Sequence, residues 1–149
     1  MTKSLPPKSL VLYADDDRDD LELVREAFKE YSHSIELETF RDGEELLQYT
    51  RSLNSLEPLP CLIILDINMP RKSGKEVLKE MRNMEGFEDV PIVLFSTSTL
   101  PSEAAFAKSF GAGFLTKPLH SNQITQLVDA MIAHCTDDVK KNIRKLKGK

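Results

Sequence analysis

Asp15, Asp16, Asp66, Ser96 and Lys117 are the residues whose types and placement could do chemistry in this chain. Asp15 and Asp16 close the apolar run SLVLYA (9–14), and Asp66 closes CLIILD (61–66). Ser96 and Thr97 close PIVLFST (91–97), and Lys117 with Pro118 closes GFLTKP (113–118). Two unit charges ~4 Å apart at an effective dielectric of ~20 repel by about 4 kcal/mol. Three carboxylates brought together must therefore protonate or take up a cation. A hard divalent cation meets that need, and Mg²⁺ suits a site with few carboxylates because it keeps waters and shares ligation with a phosphate. Lys117 offers a second positive charge to a carboxylate or an incoming phosphoryl group, and Ser96 or Thr97 offers a hydroxyl. An aspartate in such company can act as a nucleophile and form an acyl phosphate. Positioning and electrostatics would supply most of the catalysis.

The elements that must bring these residues together follow from the hydrophobic pattern. Five short apolar runs, the four above and IELETF (35–40), read as strands β1 to β5 in chain order. Three are nearly continuous Val, Ile and Leu, as in strands buried on both faces of a parallel sheet. Amphipathic patterns lie between them. The first (α1) carries Leu21, Val24 and Phe28, with Leu23 and Ala27 alongside. The second (α2) follows a turn at Asp42-Gly43 and carries Leu46, Leu47, Thr50 and Leu53. The third (α3) runs from Ser73 with Val77, Leu78 and Met81 inward. The fourth (α4) begins near Ser102 and ends at Gly111, a residue suited to closing a helix. The fifth (α5) starts at Ser121, a fitting N-cap, and carries Ile124, Leu127, Val128, Met131 and Ile132. The segment RSLNSLEPLP (51–60) reads as an exposed loop. Five β-α units predict an α/β fold, an open, doubly wound parallel sheet. Such sheets bind ligands at the carboxyl ends of their strands, where the residues above converge.

The remaining composition narrows the function. At 149 residues and a net charge of -4, the chain suits one domain and gives no reason to expect a nucleic-acid-binding body. No apolar run is long enough to span a membrane, and the start MTKSLPPKSL has no secretory pattern. Cys61 and Cys135 fit no metal or redox spacing, which leaves two reduced thiols in a cytoplasmic protein. His33, His120 and His134 show neither metal spacing nor a nucleophile partner. Asp17, Asp19 and Asp20 read as a favourable charge cluster at a helix start, with Asp17 as N-cap. The basic stretch VKKNIRKLKGK reads as a solvated extension.

The acid pair Asp15-Asp16, the run LDINMPRKSG around Asp66, the hydroxyl in LFSTS and the TKP of Lys117-Pro118 resemble the receiver domain of two-component response regulators. The resemblance covers nearly the whole chain: a receiver domain at 8–135, followed by a basic C-terminal extension at 136–149. It implies a flavodoxin-like sheet of strand order 2-1-3-4-5. It makes Asp66 the phosphoacceptor and gives Mg²⁺ the ligands Asp15, Asp16, Asp66 and the backbone carbonyl of Asn68, with Asp15 bound directly or through water. Ser96 would bind the phosphoryl group and Lys117 would pair with Asp66 or its phosphate. Ser96 and Phe114 would act as the switch, and the Lys117–Pro118 peptide would be cis. Asn68 and Ser98 fall where the family tunes self-dephosphorylation. The partners implied are a sensor histidine kinase or histidine phosphotransfer protein and a downstream protein target. With no effector or DNA-binding domain after α5, output is expected through protein contacts. Single-domain receivers paired with bacterial phytochrome-type kinases are similar in their long loop before β3 and in LFSTS. They imply a homodimer through the α4-β5-α5 face.

Such a protein catalyses only its own phosphorylation and dephosphorylation. Two other functions compete. A phosphatase of the haloacid-dehalogenase type also uses an aspartyl phosphate, but its nucleophile follows the first strand in D-x-D-x-T/V, and Arg18-Asp19 breaks that pattern. A receiver-like module acting without phosphorylation would not need the intact acid pair, Asp66, Ser96 and Lys117.

Overall fold

The computed structural model describes residues 9–53, 59–117, 125, 126, 128 and 129. Five parallel strands form one sheet in the order β2-β1-β3-β4-β5: β1 Ser9–Ala14, β2 Ile35–Phe40, β3 Leu62–Asp66, β4 Ile92–Ser96 and β5 Gly113–Thr116. The two innermost strands after β1, β3 and β4, are buried along their whole length. Their alternate residues serve different faces of the sheet. Val11, Tyr13, Leu62, Ile64, Val93 and Phe95 pack with Leu21, Val24 and Phe28 of α1 (Arg18–Phe28) and with Val128. Leu12, Ala14, Ile63, Leu65 and Leu94 pack with α2 (Gly43–Ser52), α3 (Gly74–Arg82) and α4 (Pro101–Ser109). Each fully buried Val, Leu or Ile contributes about 1.5–3 kcal/mol, so this two-sided core fixes the register of the sheet.

The starts of α1, α2 and α3 are set by side chains close in sequence. Asp17 caps α1 by accepting from the N–H groups of Asp19 and Asp20. Asp42 caps α2 through Glu45 N–H. Ser73 and Glu76 form a reciprocal capping box at α3, each bond 3.2 Å. Gly111, with φ +65°, turns the chain out of α4 into β5.

Two expectations shift at their edges. Arg51 and Ser52 belong to α2 rather than to a loop, and Pro60 is buried. Leu53 lies just past the end of that helix, half-buried. Thr125, Gln126, Val128 and Asp129 are helical, and the start of α5 at Ser121, the other α5 positions, Cys135, His120, His134 and the tail lie outside the described residues. No described helix is long and apolar enough to cross a membrane.

Candidate active site

The carboxyl edge of the sheet is built by ladder register. Asp66 of β3 stands beside Phe95 of β4, and Ser96 stands beside Thr116, one residue before Lys117. The ladder continues past the strand ends: Asp15 N–H donates to Phe40 O, Ile67 N–H to Phe95 O, and Lys117 N–H to Ser96 O at 2.7 Å. Asp15, Asp66, Ser96 and Lys117 are all buried, whereas Asp16 is exposed at the rim. Gly74 makes the position of Asp66 possible. A Cβ there would stand 2.4 Å from the Asp66 carbonyl oxygen, so the first residue of α3 can press on the strand end only as glycine.

Asp15, Asp16 and Asp66 come together as expected. One carboxylate oxygen from each lies within 4.8 Å of the others. Three hard oxygen donors at that spacing fit a hard divalent cation such as Mg²⁺ or Mn²⁺. Lys117 closes the pocket, with its ammonium 2.6 Å from Asp20 Oδ2, 3.0 Å from Asp15 Oδ2 and 3.4 Å from Asp66 Oδ1. It also stands 5.4 Å from the centre of the Phe95 ring.

The charges follow from this geometry. Burial and the neighbouring Asp15 push the Asp66 carboxyl up to about 7, although Lys117 acts against the rise. Burial works against the Lys117 ammonium, but the bond to Asp20 and the charges of Asp15 and Asp66 outweigh it and raise its pKa. A carboxyl raised by burial among other acids, beside a lysine held charged, is a place where a bound cation would relieve the repulsion.

Two members of the site escaped the sequence reading. Tyr13 donates its phenol O–H to Asp15 Oδ2 at 2.5 Å, while Asp17 N–H holds Asp15 Oδ1 at 2.9 Å. Burial first, then the Asp15 charge, raises the Tyr13 pKa, so the phenol stays a donor. Asp20 lies in the first turn of α1, as the charge cluster suggests, and in addition faces Lys117. Burial raises its carboxyl pKa, opposed by that lysine. Asp17, Asp19 and Asp20 all keep the helix-start role.

The other expected residues differ in exposure. Ser96 Oγ accepts from Ser98 N–H at 3.0 Å, and Thr97 is exposed. Asn68 is exposed in the loop after Asp66. Phe114, opposite Leu94 on β5, is half-buried against the α2-α3-α4 face. The Lys117–Pro118 peptide lies outside the described residues.

Known proteins share both pattern and fold. The family model described as "Response regulator receiver domain" matches residues 11–129. Response regulator Rcp1 of Synechocystis sp. is 36% identical over 98 residues, 64% of this chain and 66% of that protein. A probable methanogenesis regulatory protein, FilR2 of Methanothrix harundinacea, is 28% identical, covering 80% of this chain and 79% of its own. Among solved structures, the phosphorylated cyanobacterial phytochrome response regulator RcpA superposes with a TM-score of 0.78 at 27% identity, over 89% of this chain and 96% of that one. The Mn²⁺-bound form of Rcp1 superposes at 0.74 and 28% identity, over 85% and 93%. With strand order, acidic edge and family match in agreement, the chain belongs to the response regulator receiver domain family and resembles the members named for phytochromes.

Proposed function

We propose that this receiver, taken as residues 8–135, accepts a phosphoryl group on Asp66 from a histidine kinase or histidine phosphotransfer protein and signals through altered protein contacts. One observation carries the reading: the Asp66 carboxylate shares a pocket with Asp15 and Asp16, oxygens within 4.8 Å, and with the Lys117 ammonium at 3.4 Å. An Asp66 oxygen attacks phosphorus, the new O–P bond forms, and the P–N bond to the donor imidazole breaks. The imidazole leaves with the electron pair and retains or gains a proton. Mg²⁺ bound by Asp15, Asp16, Asp66 and the Asn68 carbonyl would neutralise the carboxylates and the phosphoryl oxygens. Lys117 holds a second positive charge at the same oxygens, and Ser96 offers its hydroxyl at the adjoining strand end.

The added charge of about -1.5 to -2 is then read by Ser96 and Lys117 and passed to Phe114 and the α4-β5-α5 face, where a second copy or a downstream protein binds. The test is phosphorylation by acetyl phosphate with Mg²⁺. An acid-stable, base-labile acyl phosphate is expected, absent from Asp66→Ala and from samples in chelator. Label that persists in Asp66→Ala would sink the assignment.

A further inference from the structure

Asp20 is not one of the three carboxylates that could hold a cation, yet it is the nearest anion to Lys117. Its Oδ2 lies 2.6 Å from the ammonium, against 3.0 Å for Asp15 and 3.4 Å for Asp66. The first turn of α1 fixes it there, since its N–H is held by the Asp17 cap at 3.1 Å. A lysine and a divalent cation compete for the same oxygens, and two of the three carboxylates in the acidic cluster already contact Lys117. Among the described residues, Asp20 is the carboxylate that holds the ammonium without belonging to that cluster.

We propose that Asp20 is a positioning residue. It draws the Lys117 ammonium towards the α1 side of the pocket, which weakens its hold on Asp15 and Asp66 so that a divalent cation competes for their oxygens and a phosphoryl group reaches Asp66. Without a carboxylate at position 20, the ion-pair partners left to the ammonium among the described residues are Asp15 and Asp66, and it closes onto them. The inference rests on the reading of Asp15, Asp16 and Asp66 as a cation site.

The test is Mn²⁺ binding to the full chain, followed by tyrosine fluorescence and by calorimetry. Four proteins form a cycle: wild type, Asp20→Asn, Lys117→Met and the double variant. Asp20→Asn should raise the Mn²⁺ Kd about 10-fold, in the range found when partners of metal ligands are removed. In the Lys117→Met background the same substitution should change Kd by less than about two-fold, since no ammonium remains to be held. Asp20→Glu, which keeps the charge, should stay near wild type. Position 20 is partly exposed, and a melt monitored by circular dichroism checks that each variant is folded. An equal change in both backgrounds would reduce Asp20 to a distant charge and overturn the proposal, as would an unchanged Kd in Asp20→Asn. A wild type that takes up no Mn²⁺ would overturn the cation site itself and this inference with it. Wild-type binding with additive substitutions refutes the role of Asp20 alone.

Discussion

Asparagine at position 66 keeps the shape of aspartate and removes one charge from the crowded edge of the sheet. Burial and the Asp15 charge hold the Asp66 carboxyl up, from 3.8 to about 7. A group whose folded pKa exceeds its unfolded value favours the fold while protonated. Its contribution is complete below about pH 4 and is lost progressively as pH rises to about 7, because the unfolded chain ionises first. At about 1.4 kcal/mol per pKa unit the full loss is roughly 4 kcal/mol. Solvent screening at an open edge discounts this to roughly 2–3 kcal/mol. Asp66→Asn does not titrate, so in chelator at about pH 8 it should be more stable than wild type by roughly 2–3 kcal/mol. For a chain of this length that is roughly 4–12 °C in Tm.

The assay is paired urea and thermal unfolding of both proteins in EDTA, at several pH values between about 4 and 8. The gap should shrink towards pH 4. Every other carboxylate is common to both proteins, so the difference reports position 66 together with the change its charge makes in Asp15, Tyr13 and Lys117. Saturating Mg²⁺ should then raise wild type more than the variant, which has lost a ligand, and narrow the gap again. Parallel pH profiles, or a variant less stable than wild type at pH 8, would refute the claim that the metal-free pocket is strained by charge at Asp66.

Gly74→Ala places a methyl group 2.4 Å from the Asp66 carbonyl oxygen. It should destabilise the protein by roughly 1–3 kcal/mol in urea and lower the yield of acetyl phosphate labelling, because the strand end itself must move. Arg82 donates to the carbonyls of Phe87, Val90, Phe110 and Gly111, tying the end of α3 to the turns before β4 and β5. Arg82→Met should cost roughly 3 kcal/mol by urea denaturation, and Arg82→Lys should recover less than half of it, since an ammonium lacks the planar fork. Full recovery by lysine would show that charge alone sustains the clamp.

The fold was legible because parallel strands buried on both faces leave a conspicuous trace. The runs at 9–14 and 35–40 coincide with β1 and β2. The runs at 61–66 and 91–97 reach one residue past β3 at Cys61 and one past each end of β4 at Pro91 and Thr97, and Lys117 follows the end of β5. Asp15, Asp16, Asp66, Ser96 and Lys117 were legible for the same reason: a polar residue ending an apolar run in a parallel sheet must emerge at the carboxyl edge. Arg82 left no such trace. Its four acceptors are backbone carbonyls up to 29 residues away, and a carbonyl has no sequence signature.

Tyr13 and Asp20 are different, because each did leave a signal in the pattern. Tyr13 stands two residues before Asp15, so the period of two places both side chains on the α1 face of the sheet. A phenol buried on that face needs an acceptor, and the nearest one along the strand is the carboxylate. Asp20 stands four residues before Val24 and one before Leu21, both buried against the sheet. The helical period therefore turns Asp20 inward, towards the strand ends, while Asp19 points to solvent. Acids in a first turn do favour the helix dipole, but that energy is indifferent to which side of the helix carries them. Facing is what separates the two neighbours. A carboxylate on the sheet-facing side of the first turn after β1 has only the carboxyl edge to look into, and Lys117 is the cation waiting there.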